Sequence, residues 1–348
     1  MKKKIREKPH AGMLSRYTTT PMLKWFIESC MLFAIAGTAV LFYHDKKVRA
    51  LFEVDYYACQ KMWPEVLQAA SSHSDDSYLV HAVNRALYHT GRLAFDMFSY
   101  PQHPDTLFLR AEKDGAAYWK KFDTCIELGI INVAENALVV YLEVFGERPI
   151  LLKRLALINM VKGNSGAARV YLGALSKTLF HAEWANNYLM HLQSDPNFAT
   201  DDRIQQLRNL MVEKDGPFGD YLPEDILLAL LVKNRQNRMA IEYLMALYLL
   251  TGQLDKFIEN LNYLDDLDYS QIPRHYEEAI LVYTFFSKKS VNLRGRQLSP
   301  QSHQRFKGFL ETFNRYGGNN QAAFRELAKN YGDSYFFYYT YGVSGMKK

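Results

Sequence analysis

Apolar positions recur at helical spacing over most of the chain, and short polar turns separate the stretches. Residues 238–264 show the pattern well. Ile241, Leu244, Met245 and Tyr248 form one stripe, and Leu254, Phe257, Leu261 and Leu264 form a second. Thr251-Gly252-Gln253 lies between them. Two stripes joined by a glycine turn predict a helical hairpin.

The unit repeats. Gly91, Gly129 and Gly163 mark similar turns, 38 and 34 residues apart. Ala134 and Leu138 follow Gly129 at the same offsets at which Ala168 and Leu172 follow Gly163. A turn glycine, a small residue five positions on and a large apolar residue four beyond it resemble the tetratricopeptide repeat. Asp96 and Phe257 stand where that pattern wants alanine, and Tyr56 to Leu67 is an earlier half-match. The expected fold is all-α: an N-terminal transmembrane helix followed by a tetratricopeptide-like α-solenoid of stacked hairpins. Block one covers 45–195, a Pro/Gly-containing junction 196–223, and block two 224–342. Within block two, 287–300 read as a solvated basic loop. Six of the seven residues in 335–341 are aromatic, which suits a segment covering the open end of the last repeat; a partner-docking strand is the other reading.

Residues 25–43 are mostly apolar with one charge, Glu28, and Trp25 and Tyr43 stand at the ends. As a helix they would run roughly 28 Å, the scale of a hydrocarbon core. A cleaved signal peptide, with Ala34-Ile35-Ala36 or Ala36 to Ala39 as its cleavage site, and a buried helix are the alternatives. Val40 to Tyr43 extend the apolar run beyond that site, which favours an uncleaved anchor.

Charge divides the chain in the same place. The formal net is +5, but residues 1–24 carry +6, leaving −1 on all the rest. Nucleic acid is therefore not an expected partner, since the body has no overall basic excess. The basic tail places the N-terminus in the cytoplasm by the positive-inside rule. The expected location is the inner membrane, single-pass, with an extracytoplasmic (periplasmic) body.

No sequence motif for chemistry stands out. There is no HExxH, phosphate loop, GxGxxG or GxSxG. His81 and His89 lie two helical turns apart, about 12 Å, too far to share a metal. Cys30, Cys59 and Cys125 read as free thiols, with a Cys59–Cys125 pair as the alternative. Asp75-Asp76, Asp201-Asp202, Asp265-Asp266 and Glu277-Glu278 invite a glycan-cleaving reading, but adjacent acids on a helix point about 100° apart. No catalytic residue, cofactor or metal is expected.

Aligning the turn glycines places Tyr78, His81, Arg85, Tyr88, His89, Trp119, Asp123, Glu127 and Lys153 on the first helices of successive hairpins. These are the candidate lining of a partner-binding groove.

Four stretches carry a wider resemblance: 83–91 (VNRALYHTG), 96–102 (DMFSYPQ), Lys162-Gly163 with 166–172 (GAARVYL), and 237–246 (NRMAIEYLMA), with 334–338 (SYFFY) in addition. Over roughly residues 50–342 the chain resembles an uncharacterised family of bacterial, Bacteroidota-type membrane proteins. The resemblance implies membrane segments followed by a helical-repeat body and no known activity. The expected function is binding of a protein or peptide partner, as a scaffold or assembly component of the cell envelope. A glycan-binding or glycan-cleaving enzyme and a self-associating structural protein are the alternatives.

Overall fold

The computed structural model describes residues 21–42, 46–70, 76–109, 120–212, 223–267, 269, 271–316 and 320–343. Among them every regular element is helical. The chain divides into two units, Met1–Phe52 and Glu53–Lys348.

The described part of the first unit holds α1 (Pro21–Phe42) and the start of α2 (Lys46–Cys59). The expectation of a transmembrane helix is overturned here. Among the described residues no helix is long and apolar enough to cross a membrane. Lys24 and Glu28 sit one turn apart within α1, their charged atoms 3.9 Å from each other. The apolar run that follows, from Cys30 to Phe42, gives about 20 Å of helix against about 30 Å of hydrocarbon.

The second unit begins in α2 and continues through α3 (Trp63–Ala70), α4 (Ser77–His89), α5 (Leu93–Asp96), α6 (Lys121–Leu128), α7 (Ile131–Phe145), α8 (Pro149–Val161), α9 (Ser165–Leu175), α10 (Ala182–Ser194) and α11 (Asp202–Leu210). It then runs through α12 (Pro223–Lys233), α13 (Arg238–Thr251), α14 (Leu254–Glu259), α15 (Arg274–Ser287), α16 (Pro300–Arg315), α17 (Asn320–Tyr331) and the short α18 (Tyr335–Phe337). Side chains cap several starts. Asp76, Asp201, Asn237 and Ser299 accept from the backbone N–H of Tyr78, Ile204, Ala240 and Ser302. Pro149 and Pro300 begin α8 and α16, where a missing N–H costs nothing.

Five helix junctions share one turn. At Gly91, Gly129, Gly163 and Gly252 the backbone enters the left-handed region, with φ of 69°, 95°, 76° and 67°. The turn residue's N–H reaches the carbonyl three back, and the next N–H reaches the carbonyl five back, as in Gly163 to Met160 and Asn164 to Asn159. This pairing closes the helix C-terminus. The fifth junction, between α2 and α3, has the same bonds, Lys61 to Ala58 and Met62 to Tyr57, and the same handedness. Its turn residue is Lys61, with φ 59°.

Helices α6 to α10 pack in succession, each on the next. Helix α11 returns to α8 and α6. Helix α13 then lies against α5, α6, α12, α14 and the turn Pro104–Thr106. Every residue from Met239 to Leu250 is buried. Asn237 ties this helix to the end of α6, because its Nδ2 donates to the Leu128 carbonyl at 2.9 Å.

The aromatic segment covers α15 to α17. Tyr335, Phe336 and Tyr338 are buried. Phe336 packs on Phe306, Phe309 and Tyr331, and the Tyr338 hydroxyl donates to the Leu250 carbonyl at 2.9 Å. In the basic loop, Arg294 and Arg296 both pair with Asp265.

Candidate functional site

Helical spacing assembles a buried chain of ions. Arg85 and His89 lie one turn apart on α4, and Asp123 and Glu127 one turn apart on α6, so each pair shares a helix face. Arg85 Nε and Nη2 donate to Glu127 at 3.1 and 2.7 Å. Its Nη1 lies 3.9 Å from Asp123. Asp123 in turn accepts from Nε and Nη2 of Arg154, on α8, at 2.7 and 2.6 Å. His89 Nε2 is 3.2 Å from Glu127, and Trp63 stacks on its ring at 4.3 Å. Burial works to raise the Glu127 carboxyl, yet the Arg85 charge and the hydrogen bonds from His89 and Arg85 hold it well below the usual carboxylate range. Asp123 is lowered against the same burial by Arg154.

This chain of ions forms one wall of a cavity of about 360 Å³. Lys61 from the α2–α3 turn, Lys153 from α8, His181 and Trp184 at the start of α10, and Arg203 from α11 complete it. The volume is that of a small-ligand pocket. Lys153 Nζ stands 5.0 Å above the Trp184 ring, which packs on Tyr188 at 4.8 Å. Arg85 and Arg154 are neutralised by the two carboxylates; Lys61, Lys153 and Arg203 form no ion pair among the described residues. Partial desolvation by the cavity wall, and then the Arg203 charge, lower both lysines. Burial and Lys153 lower His181, which favours its neutral form. The cavity therefore holds an excess of three positive charges.

The residues expected to line a groove separate into three groups. Arg85, Asp123, Glu127 and Lys153 line this cavity together, and His89 supports it from behind Glu127. Tyr78, His81 and Tyr88 lie elsewhere. The Tyr78 hydroxyl reaches Asp55 at 3.4 Å, beneath the Lys120 ammonium. His81 is buried between the Thr106 carbonyl and the Thr124 hydroxyl, at 3.2 and 3.1 Å. Tyr88 packs edge-on to His89 and Tyr243, and burial pushes its hydroxyl up to about 12. Trp119 lies outside the described residues.

Sequence reasoning passed over Lys61, Arg154, His181, Trp184 and Arg203. Lys61 had a signal: it stands 30 residues before Gly91, at the turn position of the earlier half-match. Arg203 had none, because it arrives through the return of α11 onto α8.

Most of the remaining candidates for chemistry have structural partners. Asp76 and Asp201 are helix caps, and Asp265 and Asp266 hold Arg296 and Arg235. Glu277 accepts from Ser299 and Ser302, and Glu278 from His275 and the Tyr335 backbone N–H. Asp75 lies outside the described residues. Among the described residues the cysteines form no disulfide, and burial with Asp55 and Asp123 pushes up the Cys59 thiol at the cavity wall. Among the described residues no three His, Cys, Asp or Glu side chains cluster to hold a metal.

No curated protein and no solved structure matches the chain. A family model matches residues 5–342, nearly the whole length, through both sides of the cavity and the aromatic C-terminal segment. On that match the chain belongs to DUF6057, a family of unknown function.

Proposed function

We propose that the chain is a non-enzymatic binding protein. Its helical hairpins, similar to tetratricopeptide repeats, hold the cavity at Lys61, Lys153 and Arg203, which takes an acidic part of a protein or peptide partner. The carrying observation is the convergence on one cavity of three cations that form no ion pair among the described residues. Charge complementarity of this kind steers and selects a partner. Two further features favour binding over catalysis. Asp76 and Asp201 are committed to helix caps, Asp265 and Asp266 to ion pairs, and Glu277 and Glu278 to hydrogen bonds. The one thiol at the wall is shifted away from its nucleophilic form.

Fluorescence anisotropy with a labelled oligoglutamate peptide tests the reading. Saturable binding that weakens with salt and is lost in a Lys153→Glu/Arg203→Glu double variant is the expected result. Binding untouched by that variant, or no binding to any acidic peptide, would overturn it.

A further inference from the structure

Resting on the reading of this cavity as the recognition pocket, the geometry points to a narrower ligand class: the cavity binds a phosphate monoester, whose phosphoryl oxygens are held by Lys61, Lys153 and Arg203. The argument is one of charge and donors. A carboxylate carries one negative charge and would leave two of the three cations uncompensated. A phosphate monoester carries about −1.5 to −2 near neutral pH and offers three strong acceptor oxygens. Arginine supplies a planar fork and lysine a compact charge, the donor types used for phosphoryl groups.

The cations converge from separate elements. Lys61 lies in the first turn, Lys153 on α8 and Arg203 on α11. Arg203 depresses both lysines, so the three share one electrostatic space. Mutual repulsion of this kind is relieved by a dianion placed among them. The two carboxylates that also line the cavity, Asp123 and Glu127, are each clamped by an arginine, which limits their repulsion of an incoming anion. About 360 Å³ leaves room for the group that bears the phosphate, with Trp184 as an apolar wall.

Lys61 supplies an independent observation. Four equivalent turns use glycine, whereas this one forces a lysine into left-handed backbone. The substitution places an ammonium at the cavity where glycine would place nothing.

Isothermal titration of the full chain at fixed ionic strength tests this with three probes: a phosphoserine peptide, glycerol phosphate, and the same peptide with glutamate in place of phosphoserine. The expected result is one-to-one binding of a phosphate ester, at least about tenfold tighter than the glutamate peptide, with about tenfold weakening in each of Lys61→Gly, Lys153→Met and Arg203→Met. Lys289→Met, in the basic loop and outside the cavity lining, should leave binding unchanged. Thermal melts check folding, and Lys61→Gly should melt no lower than the parent. The ratio of phosphopeptide to glycerol phosphate affinity reports whether a protein side chain or a small molecule carries the group. Equal affinity for the glutamate and phosphoserine peptides would overturn the phosphoryl assignment and leave the acidic-partner reading standing. Binding of none of the probes would overturn both. Tight phosphate binding that survives all three substitutions would place the site elsewhere and overturn the assignment.

Discussion

Arg85 and Glu127 meet through two parallel hydrogen bonds, of 3.1 and 2.7 Å, across 42 residues of sequence. The Arg85 side chain is 7% exposed and that of Glu127 20%. Removing one partner leaves the other charge with little water to replace it. Glu127→Gln is expected to cost about 3–5 kcal/mol in urea unfolding. The double variant Arg85→Met/Glu127→Leu should cost clearly less than the two single changes together, because neither charge is then left uncompensated. Strict additivity would show that the pair is not coupled.

His81 makes stability depend on pH. The Thr106 carbonyl can only accept, so Nδ1 carries the proton and Nε2 accepts from the Thr124 hydroxyl. Burial, reinforced by Arg85, lowers the His81 pKa to about 4 from 6.5. Between these values the unfolded chain binds more protons than the folded one. The stabilisation is therefore complete above pH 6.5 and is lost as pH falls toward 4. The loss is about 3 kcal/mol over the window. Urea midpoints measured across it should fall more steeply in the parent than in His81→Gln; parallel curves would contradict this origin.

Lys61→Gly should separate stability from recognition. Relief of the left-handed backbone favours the variant by about 1–2 kcal/mol, and the greater entropy of unfolded glycine takes back about 1. A melting temperature equal to the parent's or a few degrees higher is expected, together with weaker anion binding. A marked loss of stability would mean that the lysine holds the turn by contacts that outweigh its strain.

Two glycines with similar backbones should respond differently to alanine. At Gly91 a Cβ meets nothing within 4 Å, so only the left-handed backbone opposes it, about 1 kcal/mol. At Gly129 a Cβ would lie 2.3 Å from the Leu210 carbonyl oxygen, a backbone atom that cannot move without shifting the end of α11. Gly129→Ala should therefore be the more destabilising by at least about 2 kcal/mol, read from urea unfolding.

The hairpins were legible because a left-handed turn selects glycine and a packed helix face selects apolar residues at fixed spacing. Gly91, Gly129, Gly163 and Gly252 all sit in such turns. Lys61 escaped that rule because its residue type violates it. Residues 25–43 read as a span in spite of Glu28, but among the described residues α1 is not long and apolar enough to cross a membrane. Half the cavity was visible in the register of α4, α6 and α8. The other half depends on α10 and α11 turning back, and spacing along one helix carries no information about that return.

The burial of α13 has an evolutionary consequence. An open stack of repeats can gain or lose one by duplication or deletion, since each touches only its neighbours. Here Asn237 is bonded to Leu128, and His275 sits 3.4 Å from the Phe98 backbone N–H. A hairpin inserted or deleted between those positions would break both contacts and uncover α13. Adding or removing a hairpin there should therefore be costly, and length variation among relatives is expected in the loops instead.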